Sequence, residues 1–157
     1  MVAESELNTG VLLFLPYRAL ENRIFAALAD AGFDDFTPAQ ARVMQRIGPD
    51  GTRLTELAEQ AQITKQTAGF LVDQLEKTGY VTRVPDPTDK RARLVRGAAK
   101  AWAAKEVADG VVAEVEKEWE AHLGKRRMKQ LREALTLLRE ITDPWAEPAG
   151  SPAGSTR

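Results

Sequence analysis

The fold is decided by the stretch LTELAEQAQITKQTAGFLVDQLEKTGYVTRVPDPTDKRARLV, residues 54–95. Apolar residues at helical spacing predict two short helices, over about 55–61 and 64–78, with Thr55 and Thr64 as their N-terminal caps. The residues that follow are rich in β-formers on either side of the turn-rich PDPTDK, which predicts a two-stranded hairpin with a loop of several residues. This order is typical of a helix-turn-helix followed by a β-wing.

The second helix of this pair is predicted to have one buried and one exposed face, and Gly79 is expected to end it. Its apolar stripe consists of Ala68, Leu71, Val72 and Leu75, and the residues left outside near its start are Lys65, Gln66, Gly69 and Phe70. A helix with such a polar start can lie in the major groove of DNA, where Gln pairs with adenine and Lys donates to guanine. Lys65, Gln66 and Thr67 are therefore expected to reach base edges.

Positive charge is concentrated on the predicted hairpin. Residues 83–100 hold six cations and two acids, a net charge of +4, whereas the rest of the chain sums to −5. Cations at a hairpin tip can contact phosphates or enter the narrow minor groove. We therefore expect Lys90, Arg91 and Arg93 to contact DNA, with Asp89 pairing with the Arg91 guanidinium. The alternative is a solvated hairpin whose cations only protect an edge strand from aggregation.

Helices are also predicted on both sides of this region. An apolar stripe predicts one over about 7–30, in which Pro16 either kinks the helix or marks its true start, and Thr37 is expected to cap the next. Similar stripes predict helices over 98–122 and 125–142. Their apolar faces need partners, which a two-fold dimer would supply. A monomeric bundle and a solvent-exposed coiled coil are the alternatives.

The composition excludes several classes of protein. The 157 residues are 43% hydrophobic and 29% charged, and no apolar run reaches the roughly 18 residues that span a bilayer, so no membrane association is expected. The first residues lack the pattern of a secretory signal, which favours a cytoplasmic location. There is no Cys for a thiolate metal site or a redox sensor, and His122 is the only His. Without a phosphate loop or nucleophile motif, we predict no catalytic residue, no metal and no cofactor. A ligand-binding enzyme on a helical scaffold is an alternative that would have to show turnover.

Residues 54–95 resemble the winged helix of the multiple-antibiotic-resistance regulator (MarR) family, most specifically in LVDQLEKTGYVTR leading into DPTDKRARLV. The resemblance implies a homodimer that binds two half-sites in double-stranded DNA and represses or activates transcription, often under the control of a small-molecule effector. It also implies that Arg91 enters the minor groove with Asp89 as its partner. Lys65, Gln66 and Thr67 then fall at the base-reading end of the recognition helix.

Three positions depart from the family's pattern. Gln62 stands where the turn commonly has Gly, and a left-handed Gln costs about 1 kcal/mol. Gly97 replaces the Thr that usually caps the helix after the wing, at a cost of roughly a few tenths of a kcal/mol. Phe70 stands where a polar or basic residue is common. It either contacts a thymine methyl or folds back on the wing, and we expect the second because an exposed Phe gains most by local burial.

Residues and resemblance together predict a mainly α protein: a winged helix-turn-helix with a two-stranded β-wing, flanked by N- and C-terminal dimerisation helices. We expect a single domain over 1–142, with the winged helix at about 37–97, and a disordered tail over 143–157. Trp102 and Trp119 are expected to be packing residues.

The expected function is a ligand-responsive repressor that acts as a homodimer on a pseudo-palindromic operator; the alternative is a winged-helix protein-interaction module that does not bind DNA. The residues expected at the DNA are Arg53, Thr64, Lys65, Gln66, Thr67, Phe70, Asp89, Lys90, Arg91 and Arg93. The residues expected at an effector site are Tyr17, Arg18 and Phe36. For these three, core packing of the aromatics and simple exposure of the arginine are the alternatives.

Overall fold

The computed structural model of the chain, which describes residues 6–146, is mainly helical with one small antiparallel sheet. In chain order the elements are α1 (Thr9–Asp30), α2 (Pro38–Met44), β1 (Thr52–Arg53), α3 (Leu54–Gln60), α4 (Lys65–Lys77), β2 (Val81–Asp86), β3 (Asp89–Gly97), α5 (Ala99–Leu123) and α6 (Lys125–Thr142). The predicted fold class is confirmed, and the sheet has a third, very short strand, with order β1-β3-β2. Most of the tail expected to be disordered, residues 147–157, lies outside the described residues.

Helix α1 runs through Pro16 instead of beginning there. Asn8 caps it by accepting a hydrogen bond from the Val11 N–H at 3.0 Å. The cap satisfies one of the free N–H groups of the first turn. Only Leu28, close to the C-terminal end, is fully buried, and the first half of the helix leaves large apolar side chains exposed.

The caps of α2 and α3 differ in how well local sequence predicts them. Thr37 caps α2 as predicted, because its hydroxyl accepts from the Gln40 N–H while the Gln40 side chain accepts from the Thr37 N–H, a capping box. The prediction that Thr55 caps α3 is wrong, since α3 begins at Leu54. The reason is β1, whose residues Thr52 and Arg53 pair with β3, so that the chain passes directly from strand into helix.

Helix α4 follows the prediction closely. Thr64 caps it by accepting the Thr67 N–H at 3.1 Å, and the four residues of the predicted apolar stripe are all buried. Gly79 adopts a φ of 83° just beyond its end, a conformation that glycine adopts without steric cost. Gln62, in the turn before α4, has a φ of 55°, so the expected left-handed conformation is confirmed. The Ile63 N–H bonds back to the Ala58 carbonyl and closes that helix end.

The wing is longer and its turn tighter than the sequence predicts. Strands β2 and β3 pair from Val81 opposite Gly97 to Asp86 opposite Asp89, which leaves a two-residue turn where a loop of several residues was expected. The Asp86 carboxylate closes this turn by accepting from the Thr88 N–H at 2.8 Å and from its hydroxyl at 2.7 Å. Gly97 does not cap the next helix as expected, because it is the last residue of β3 and α5 begins at Ala99.

The chain divides into two compact units between Ala113 and Glu114, within α5. The core of the first unit is built around large, fully buried side chains: Tyr80, Leu57, Leu75, Val43, Val72, Val81 and Val95. In the second unit Val115 and Met128 are buried, whereas α6, which has the predicted bounds, leaves most of its leucines exposed. Among the described residues no helix is both long and apolar enough to cross a bilayer.

Candidate nucleic-acid interface

The outer face of α4 presents amide, hydroxyl, ammonium and aromatic groups. Lys65, Gln66 and Thr67 are exposed, and the Thr64 hydroxyl donates to the Thr67 hydroxyl at 2.9 Å, which orders the start of the helix. Phe70 is 61% exposed, so the expectation that it folds back on the wing is wrong. The reason is helical geometry, because Phe70 lies about 200° around the helix from both Ala68 and Val72, which are buried.

The tip of the wing carries cations that have no carboxylate partner in the part of the chain that the structure describes. Lys90, Arg91 and Arg93 are exposed, and within residues 6–146 none of them forms an ion pair. Asp89 does not hold the Arg91 guanidinium as expected; it accepts the Arg91 backbone N–H at 3.0 Å, and its other oxygen lies 3.9 Å from the Arg53 guanidinium.

Beside the turn of the wing, by contrast, Arg53 of β1 is neutralised by Asp86. The Asp86 carboxylate is buried, with 6% of the residue exposed, and accepts from Nε and Nη2 of Arg53 at 2.8 and 2.7 Å. Hydrogen bonds from Thr88, together with the Arg53 guanidinium, lower the pKa of Asp86 to about 2. Asp86 therefore stays ionised at neutral pH and ties β1 to the turn of the wing. The place of Asp86 in the turn was expected from the sequence, but its pairing with Arg53 was not, because 33 residues separate the two.

A second neutralised cation joins the wing to α4. Arg83 on β2 donates to Asp73 at 2.6 Å and to Glu76, and both carboxylates belong to the C-terminal half of α4. Because Arg83 cancels part of their charge, this end of the helix does not carry an uncompensated acidic pair. The sequence offered no signal for the contact, since ten and seven residues separate the partners.

A hydrogen-bonded cluster anchors the end of α4. The Tyr80 hydroxyl donates to Asp35, and Lys100 Nζ donates to the other Asp35 oxygen at 2.5 Å and to the Thr78 carbonyl at 2.9 Å. The same ammonium lies 4.3 Å from the centre of the Tyr80 ring. Burial, followed by the Asp35 carboxylate, raises the pKa of Tyr80, while Lys100 and Tyr80 lower the pKa of Asp35. The cluster thus links the α1–α2 loop, the end of α4 and the start of α5.

A cavity of about 350 Å³ lies between α1, α2 and the first half of α5. Tyr17 and Phe36 line it, whereas Arg18 lies outside its lining. Its wall is mostly aromatic and aliphatic, and Trp102, which was expected to be a packing residue, also contributes to it while remaining partly exposed. A cavity of this size, with an apolar wall and a few polar groups, suits a small organic molecule.

One group of polar side chains in this cavity surrounds Tyr17. Its hydroxyl donates to Glu21 at 2.9 Å, and Arg42 of α2 also interacts with it. Burial and the Glu21 carboxylate raise the pKa of Tyr17. Sequence analysis did not single out Glu21 or Arg42, because neither belongs to a motif. Among the described residues no group of three or more His, Asp or Glu side chains is arranged to hold a metal ion.

Residues 34–92, which contain α2, the helix-turn-helix and most of the wing, match the sequence model of the MarR family. The predicted resemblance to the MarR family is confirmed. The match to the family model does not extend to α1, α5 or α6. For these helices, the comparison with solved structures shows the fold. The comparison with curated proteins gives no match.

Solved MarR-like structures share the fold over most of the chain. The transcriptional regulator Tm0710 from Thermotoga maritima is 27% identical, over 85% of this chain and 92% of that one, with a TM-score of 0.60. CouR from Rhodococcus jostii RHA1, solved bound to p-coumaroyl-CoA, is 21% identical over 94% and 100% of the two chains, with a TM-score of 0.67. A mutant of MepR from S. aureus, solved bound to an oligodeoxyribonucleotide, is 18% identical over 87% and 99%, with a TM-score of 0.57.

Proposed function

We propose that the chain is a ligand-responsive transcriptional repressor that binds double-stranded DNA as a homodimer at a pseudo-palindromic operator. The observation that carries the proposal is the charge of Lys90, Arg91 and Arg93 at the tip of the wing, which has no carboxylate partner within the described residues, whereas Arg53 of β1 and Arg83 of β2 are neutralised. Exposed cations with no protein partner are suited to binding phosphate, the dominant source of affinity for DNA. The DNA-bound MepR structure supports this use of the fold.

In this proposal α4 lies in the major groove and the wing reaches the adjacent minor groove. Lys65, Gln66 and Thr67 contact base edges from the first turn of α4, while Thr64 holds that turn in place. Arg91 enters the minor groove, and Lys90 and Arg93 contact its phosphates. Arg53 and Asp89 position the wing, since both are engaged at its turn.

Exposed apolar side chains on the outer helices support the homodimer. Phe14 of α1 is 53% exposed, and Ile141 of α6 is 83% exposed, each beside further exposed leucines. Soluble proteins rarely leave such surfaces uncovered, and a two-fold interface would bury them. The dimer would hold two copies of α4 about one DNA turn (~34 Å) apart.

The cavity supports control by a small molecule with an apolar body and at least one polar group. Tyr17 and Phe36 would contact it, and the Phe36 ring packs edge-on against Tyr80 with 5.0 Å between centroids. Because Tyr80 belongs to the cluster that anchors the end of α4, a ligand that moves Phe36 would also move the recognition helix. The ligand in the CouR structure supports such control.

The experiment that tests the proposed function is selection of bound duplexes from a random-sequence library with the full chain, followed by titration at several salt concentrations. We expect a pseudo-palindrome with half-sites about one helical turn apart and an affinity that falls steeply between roughly 50 and 200 mM salt. No enriched sequence, together with salt-independent behaviour, would favour the protein-interaction module instead. A screen for compounds that release the selected duplex then tests the cavity, with Phe36→Ala as the variant expected to lose the response.

A further inference from the structure

Phe70 is the one large apolar side chain on the described outer face of α4, and it is more than half exposed. Its neighbour one turn earlier on that face is Gln66, and one turn later the face continues with Asp73 and Lys77. An exposed Phe leaves a large apolar area in water, and this area gains nothing from folding. Its ring is therefore a surface that favours an apolar partner.

Gly69, beside Phe70, gives a second indication that something approaches this part of the helix closely. Glycine inside a helix destabilises it by about 0.5–1 kcal/mol relative to alanine. The fold does not require glycine here, because a Cβ at this position would meet only the Leu54 side chain, at an ordinary contact distance of 3.7 Å. Gly69 is partly exposed, and the absence of a side chain leaves the helix backbone there without the cover of a Cβ, next to the exposed ring.

We propose that Phe70 reads the 5-methyl group of a thymine in each half-site, with Gly69 allowing the helix backbone to come close enough. The inference rests on the proposed function, because it requires α4 to lie in the major groove. In the major groove, the 5-methyl group of thymine is the apolar group that the base edges present. Since Phe70 and Gln66 are neighbours on the helix surface, about 5–6 Å apart at Cβ, the thymine lies within two base pairs of the base that Gln66 contacts.

The experiment uses deoxyuridine, which pairs as thymine does but lacks the methyl group. Each thymine of the selected duplex is replaced in turn, in both half-sites, and affinity is measured for the wild-type chain, Phe70→Ala and Phe70→Leu. We expect one position per half-site at which deoxyuridine weakens wild-type binding about fourfold, or roughly fifteenfold when both half-sites are changed. Phe70→Ala should bind thymine and deoxyuridine duplexes equally, and Phe70→Leu should retain part of the difference.

The controls separate this inference from the proposed function. Thermal unfolding of Phe70→Ala is expected to match the wild type, because the ring is largely exposed. Gly69→Ala is expected to unfold at a higher temperature yet to bind the selected duplex more weakly. If the duplex is bound but deoxyuridine weakens binding at no position, or weakens it equally for the wild-type chain and Phe70→Ala, the proposed role of Phe70 is wrong. The proposed function then still stands. If no duplex is bound at all, the proposed function fails, and this inference fails with it.

Discussion

The cations in and beside the wing lie in two kinds of surroundings. Arg53 meets the buried Asp86 carboxylate, and Arg83 meets two carboxylates of α4. Lys90, Arg91 and Arg93, which follow the turn, have no such partner among the described residues. The density of cations along the hairpin therefore does not define their function. Substitutions of these three unpaired cations at the tip should change DNA binding, and substitutions of the paired ones should mainly change the protein.

The largest effect is expected from Arg91→Ala at the tip. A guanidinium in the narrow minor groove gains from its strong negative potential, so affinity for the selected duplex should fall about tenfold or more at fixed salt. The unfolding temperature should not change, because the side chain has no ion pair within the described residues. Arg91→Lys, which keeps the charge but not the planar group, serves as the control. An unchanged affinity in Arg91→Ala would contradict the role of the tip.

A somewhat smaller effect is expected from Gln66→Ala on α4. Losing a bidentate contact to adenine should reduce discrimination at one base pair of each half-site by about 1–3 kcal/mol. Affinity for non-specific DNA should change much less, because Gln66 carries no charge. Selection with the variant measures this as a loss of preference at one position, and an unaltered consensus would show that Gln66 does not read bases.

Among the paired cations, Arg83→Ala should weaken DNA binding only a few-fold. The variant leaves Asp73 and Glu76 uncompensated on α4, where they would repel phosphate, while the exposed pairs themselves contribute about 1 kcal/mol or less to folding. The matched test is the triple variant Arg83→Ala, Asp73→Asn, Glu76→Gln, which should recover the affinity. Failure of the triple variant to recover would mean that Arg83 contacts DNA directly and that the paired and unpaired cations do not differ in function.

The smallest effect on binding is expected from Asp86→Asn, which should change acid stability instead. The pKa of Asp86 is lowered to about 2 in the folded protein from its ordinary value of 3.8, so its ionised form favours folding above about pH 4. This contribution is lost as the pH falls from about 4 to about 2. The free energy of unfolding of wild type and variant, measured from pH 7 to 2, should therefore differ most at pH 7 and converge at the acid end. A difference that does not depend on pH would show that the carboxylate charge is not what holds the wing turn.

Local patterns were enough to predict the elements that surround the site. The buried stripe of α4, its Thr64 cap, the Thr37 cap and the stop at Gly79 all depend on residues within one or two turns of each other. The left-handed Gln62 followed from its place in a tight turn. Such features are predictable because the interactions that cause them span only a few residues.

Contacts between distant residues account for what the sequence did not reveal. Strand β1 has two residues and exists because Thr52 and Arg53 meet β3 more than 40 residues later, which also displaced the expected cap at Thr55. The pairing of Arg53 with Asp86 likewise spans 33 residues. The orientation of Phe70 was misjudged for a different reason, since helical phase, which places it opposite the buried stripe, outweighed the gain from burying its ring.

The most direct test of whether the unpaired cations bind DNA and the paired cations do not is the salt dependence of binding to the selected duplex. The triple variant Lys90→Ala, Arg91→Ala, Arg93→Ala removes the tip charges. The matched control is Lys105→Ala, Lys129→Ala, Arg139→Ala, which removes three cations that each pair with an acid four residues later. Each phosphate contact contributes about 0.9 to the slope of log affinity against log salt, so the tip variant of a homodimer should lose about 5 from that slope, and the control should keep the wild-type value. An unchanged slope in the tip variant, or an equal loss in the control, would contradict the proposal that the unpaired cations of the wing tip bind DNA phosphates.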